Sequence, residues 1–119
     1  MKNICKLSLG LLLIGAVFFV SCTKTDTVAV MDCTGVAPTY TNDIKAIMTA
    51  NCTLSGCHNS SASGGYNFTT YSVCKNAKDK IVGAVQHVSG YQQMPKGKSK
   101  LDDATVKKIT CWAQNGCVE

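Results

Sequence analysis

The 119-residue chain has no arginine: its 12 basic residues are all lysine, set against 7 acidic ones. Two-point recognition of phosphate favours arginine, and a net charge of +5 is mild, so nothing here argues for a nucleic-acid partner. No segment alternates apolar and polar residues over the length of a convincing strand, and no segment repeats. No Ser/His/Asp set, carboxylate pair or phosphate-cradling glycine loop stands out, so catalysis is not suggested. The apolar run over residues 7–20 is too short for a comfortable membrane span. There is also no second pair of cysteines at C-x₂₋₄-C spacing, which weakens any structural zinc site.

What is present begins with Cys52-Thr53-Leu54-Ser55-Gly56-Cys57-His58. A histidine directly after the second cysteine of a close pair is the layout for attachment of haem c. Two thiols add across the vinyl groups as thioethers, and the adjacent imidazole binds iron. The usual spacer is two residues, whereas this one has four. The terminal Cys-His pair is kept, and Ser55-Gly56 tolerates the outward bend that two extra residues need. Two other accounts stay open. Cys52 and Cys57 pair as a disulfide with His58 incidental, or the three join another cysteine around zinc or an iron–sulfur cluster.

Lys2 and Lys6 precede the apolar run, and Ser21-Cys22 follows it, the order of a secretory signal peptide. The alternative is an uncleaved anchor helix. Phe19-Val20-Ser21-Cys22 is a loose lipobox, which makes Cys22 the candidate for lipidation and for the mature N-terminus. Acyl chains on it would anchor the domain to a membrane. The expected organisation is a lipoprotein-type signal peptide over residues 1–21, a tether and lead-in over 22–40, and one domain over 41–119. Loss of Lys2 and Lys6 would bring the net charge to +3.

Of the 8 cysteines, Cys5 leaves with the signal peptide, Cys22 is the lipid candidate, and Cys52 and Cys57 are the haem candidates. Cys33, Cys74, Cys111 and Cys117 remain, an even set that two disulfides would satisfy outside the cytoplasm. Three connectivities are open. Pairing Cys33 with Cys117 across the chain ends, and Cys74 with Cys111, is the preferred one.

Helical spacing of Ile44, Ile47 and Met48, with Thr41 or Asn42 as N-cap, predicts a helix running to about Ala50. A Ser/Gly-rich loop follows over residues 59–65. Thr69 or Thr70 caps a short turn carrying Tyr71 and Val73, and Ile81, Val82, Val85 and Val88 share one face of a second helix. Residues 89–100 read as loop. Asp102 then caps a last helix with Val106, Ile109, Trp112 and Ala113 on one face, stopping at Asn115-Gly116. Trp112 is expected in the core, packing the last helix against the first. The expected fold class is all-α.

This order, a helix, a Cys…Cys-His turn, a long loop, Met94-Pro95 and a final helix with tryptophan, resembles the class I cytochrome c family. Within it, bacterial cytochrome c lipoproteins are closest, on Met94-Pro95, Gly97, Leu101, Asp102 and Trp112 to Gly116. The resemblance covers roughly residues 40–117. It implies a small helical domain around one covalent haem c, with Cys52 and Cys57 as thioethers. His58 would be the proximal ligand of the iron and Met94 the distal one, with His87 as rival and Met48 as core. It implies electron transfer rather than enzymatic turnover, by a periplasmic or outer-surface protein lipid-anchored through Cys22. Tyr66, Phe68, Tyr71 and Tyr91 would wall the haem. Lysines 75, 78, 80, 96, 98 and 100 would steer it to acidic redox partner proteins. The alternative is a haem-free, disulfide-stapled lipoprotein acting as a binding or structural module.

Overall fold

A computed structural model describes residues 27–119. Within them all regular structure is helical, as expected. A π-helical turn, Tyr40–Ile44, runs into α1 (Lys45–Asn51); α2 (Tyr71–Asn76), α3 (Lys78–Gln86) and α4 (Asp103–Gln114) follow.

The first helical segment is capped two residues before Thr41, the earlier of the two expected caps. Thr39 Oγ1 accepts the Asn42 N–H at 3.2 Å, while the Asp43 carboxylate accepts the Thr39 N–H at 3.1 Å. This reciprocal arrangement satisfies donors that the first turn leaves unpaired, so Thr39 caps in place of Thr41 or Asn42. Asp43 is held below the usual carboxylate range, first by that backbone N–H and then by Lys108, whose Nζ lies 3.1 Å away on α4.

The expected apolar faces are those buried. Ile81, Val82, Val85 and Val88 on and just beyond α3, and Val106, Ile109, Trp112 and Ala113 on α4, are all within the core. Met48 is there too, at 1% exposure. Trp112 lies 6.2 Å from the Tyr40 ring, so the last helix packs against the first helical segment. Asp102 caps α4, accepting the Thr105 N–H at 2.9 Å. Gly116, at φ +86, takes the left-handed turn that lets the Cys117 N–H return to the Trp112 carbonyl at 2.9 Å.

The chain's last turn gathers donors from three elements. Tyr71 Oη donates to the Cys117 carbonyl at 2.7 Å, and Trp112 Nε1 to the Val118 carbonyl at 2.9 Å. The Tyr40 N–H also donates to Val118, at 2.8 Å.

Among the described residues one disulfide is formed, between Cys33 and Cys111, and it replaces the preferred pairing of Cys33 with Cys117 and Cys74 with Cys111. Cys111 is buried on α4, where Cys33 of the lead-in reaches it. Cys74 and Cys117 are buried free thiols. Cys74 Sγ donates to the Phe68 carbonyl at 3.4 Å, and burial pushes its pKa up to about 11.

Candidate functional site

The sequence between Cys52 and His58 folds as a loop closed on itself. α1 ends at Cys52, whose N–H still reaches the Met48 carbonyl at 2.8 Å, and Thr53 donates to the same carbonyl at 2.9 Å. The His58 N–H donates back to the Cys52 carbonyl at 2.9 Å, and Cys57 donates to Leu54 at 2.9 Å. Gly56, at φ +78, supplies the left-handed residue that this bend requires. The two extra spacer residues are thus taken up by local turns, and Cys52, Cys57 and His58 stay together.

Neither cysteine is bonded to the other. Cys52 is half-buried against the core, while Cys57 is exposed. Burial, and secondarily the neighbouring Cys57, push the Cys52 thiol up to about 11.

His58 is seated from three sides and only 8% exposed. Its ring lies 4.5 Å from Phe68, which in turn stacks on Tyr66 at 5.4 Å. Gly64 passes beneath the ring so closely that a Cβ there would stand 2.6 Å from Cε1 and 2.8 Å from Nδ1. Nδ1 lies 3.2 Å from the Tyr66 carbonyl. A carbonyl can only accept, so Nδ1 carries the proton, and Nε2 of the neutral ring keeps its lone pair. The backbone joins in, because Phe68 donates to the His58 carbonyl at 2.9 Å and Gly64 to that of Cys57 at 3.1 Å.

The expected aromatic wall divides in two. Tyr66 and Phe68 belong to the site. Tyr71 instead packs 5.3 Å from Tyr40, and Tyr91 lies over Gly83 on α3. Lys80 Nζ donates to Tyr66 Oη at 2.7 Å and sits over its ring, and Lys75 does the same at Tyr71 with a 3.3 Å bond.

Met94 is half-buried in the loop after α3, at a cis Met94–Pro95 bond. Its N–H donates to Ala84 at 3.1 Å, and its carbonyl accepts from His87 Nε2 at 3.0 Å. The two rival distal ligands are therefore bonded to one another. No hydrogen bond among the described residues joins Met94 to His58. Cys22 lies outside the described residues. Among those residues no group of three or more His, Cys, Asp or Glu side chains is arranged to hold a metal ion.

Sequence reasoning missed Gly64, which looked like one more loop glycine, and the Tyr66 carbonyl, which no side-chain motif marks. No protein-family model matches the chain, and no curated protein and no solved structure is significantly similar to it.

The donor set suits a covalent haem. It offers two free thiols and an imidazole whose Nδ1–H is committed to a carbonyl, leaving Nε2 free to ligate. An imidazole so fixed is the arrangement by which proteins orient a metal-binding histidine.

Proposed function

We propose that this chain is an exported, lipid-anchored, monohaem c-type cytochrome that carries single electrons between redox partner proteins. The observation that carries the reading is His58, buried, oriented by Tyr66 and Gly64, and adjacent to two unpaired thiols. Cys52 and Cys57 would hold haem c as thioethers, His58 would be its proximal ligand, and Met94 its distal one. The bound group supplies a one-electron iron couple. The chain's own part is to fix the imidazole plane with Phe68 and Gly64, to keep water from it, and to hold the proton on Nδ1. His87 holds the Met94 carbonyl and so sets the backbone of the loop that would present the thioether. Held by both His58 and Met94, the iron would serve electron transfer rather than substrate turnover. Cys22 would carry the lipid that anchors it to a bacterial membrane, on the periplasmic or outer-surface side.

A second reading, a haem-free stapled module, is favoured by the core itself. Trp112, Ile44 and Ile109 reach 0% exposure among the chain's own side chains, so the fold closes without a prosthetic group.

A pyridine haemochrome spectrum separates the two. The chain is expressed with haem-attachment machinery and denatured before reading. A c-type spectrum that stays with the unfolded chain is expected, and His58→Ala should abolish the red colour. A colourless product, made where a protein of standard spacing matures, would overturn the cytochrome reading.

A further inference from the structure

Three amide side chains at the ends of α3 and α4 close on one extended segment. Ala29 donates its N–H to Gln86 Oε1 at 2.7 Å and accepts from Gln86 Nε2 at 3.0 Å. Two residues on, Met31 donates to Gln114 Oε1 at 3.0 Å and accepts from Gln114 Nε2 at 3.0 Å. Asn115 Nδ2 donates to the Val36 carbonyl at 3.1 Å. A primary amide offers a donor and an acceptor much as a peptide does, so two of them at alternate residues imitate the edge of a neighbouring strand. They read main chain and are indifferent to side chain. Val28 packs against the core while Val30 points out, 86% exposed. Beneath the segment an open cavity of about 240 Å³, lined by Val28, Val82, Thr110 and Ala113, remains unfilled.

We propose that residues 28–36 are a strap latched into this groove by the Cys33–Cys111 disulfide, and that a dithiol reductant acting at Cys33 releases it. The inference goes beyond electron carriage and stands whether or not haem is bound.

The two sulfurs differ in access. Cys111 is 0% exposed within α4, whereas Cys33 is half-buried and opens a turn closed by Val36 N–H to Cys33 carbonyl at 2.9 Å. Asp32, Thr34 and Gly35 around it are exposed. A thiolate of the reductant would bond to Cys33 Sγ, the S–S bond would break, and its electron pair would leave on Cys111, which takes a proton. The reductant's second thiolate would then attack the mixed disulfide. It would leave Cys33 as a protonated thiol and the reductant as its own disulfide, with two electrons transferred.

Once the bond is cut, the strap is held by amide hydrogen bonds from exposed or half-buried side chains, where water competes and each contributes little, and by the partial burial of Val28 and Met31 against the core. Ordering the strap costs backbone entropy at every residue, a cost that the covalent tie reduces by keeping the segment local to α4. The next fixed points are Pro38, which is buried, and Tyr40, tied to Val118. Release would free the ten residues from 28 to 37, which span roughly 35 Å when extended. It would also uncover Val82 and Ala113.

Amide hydrogen exchange, followed by NMR on the full chain, tests this in the oxidised protein, the dithiothreitol-reduced protein and the Cys33→Ser variant. The Ala29 and Met31 amides should exchange at least ~tenfold faster in both disulfide-free forms, while Ile109 and Trp112 on α4 keep their rates. Unchanged rates at Ala29 and Met31 would overturn the latch. So would an equal acceleration at Ile109 and Trp112, which would make the disulfide a staple of the whole fold. In the oxidised protein, Gln114→Leu should free the Met31 amide and leave Ala29 protected; no change at Met31 would show that the amide does not hold the strap.

Discussion

The two histidines sit in two long loops and are treated oppositely. Each gives one ring nitrogen to a backbone carbonyl seven or eight residues on, His58 to Tyr66 and His87 to Met94. The first loop commits Nδ1 and packs its ring between Phe68 and Gly64, so the outer nitrogen is left unused. The second commits Nε2 and places His87 in left-handed backbone at φ +61, closing α3. The difference teaches that a histidine's service to a metal is decided by which nitrogen the backbone has already taken. His58 keeps Nε2 free, as the proposed haem ligation needs, while His87 braces the loop that carries Met94.

Paired substitutions would break or sharpen that contrast. His58→Ala should show the largest effect, since it removes a buried, hydrogen-bonded and stacked ring; about 2–4 kcal/mol of stability should be lost in denaturant unfolding. His87→Ala should cost about 1 kcal/mol and act mainly on the Met94 loop, visible as faster exchange of the Met94 amide. Equal losses from the two would erase the distinction.

Gly64→Ala comes next. A Cβ there must displace the His58 ring, and overpacking of this kind costs about 1–3 kcal/mol. Chemical shifts of His58 and Tyr66 should move together, while those of His87 stay still.

A third effect is set by pH. Cys52 and Cys74 are both pushed by burial up to about 11 from an ordinary 9.0. The unfolded chain therefore releases these protons first. Their contribution to stability is whole below pH about 9 and is lost as pH rises through about 11. A denaturation midpoint that falls between pH 8 and 10.5 is expected. A thioether at Cys52 does not titrate, so haem attachment should shrink the fall to the share of Cys74. The smallest effect belongs to Lys98→Ala in the exposed part of the second loop, where no change in midpoint is expected.

The legibility of these features followed their physics. The faces of α3 and α4 were readable because burial imposes a helical period on Ile81 to Val88 and Val106 to Ala113, and Asp102 announced its cap. Thr39 is not singled out by pattern because three cap-competent residues, Thr39, Thr41 and Asn42, lie within four positions, and only the return contact from Asp43 decides among them. The docking of the lead-in was invisible because Gln86, Gln114 and Asn115 read as solvated polar residues until their partners are known to be backbone. Spacing could not choose among disulfides, since Cys33 is brought to Cys111 by amide contacts from Gln114 and Asn115 to backbone, which leave no mark in cysteine spacing. At the site the Cys-His adjacency was legible, while the seat under the imbalance of the two ring nitrogens was not, because a missing side chain and a carbonyl leave no mark in a motif.

The carbonyls of Cys117 and Val118 serve donors from Tyr40, Tyr71 and Trp112. Truncation before Val118 would strip the acceptor from a fully buried indole and from the start of the first helical segment. That cut lies beyond the last helix, yet it should be as damaging as a lesion in the core.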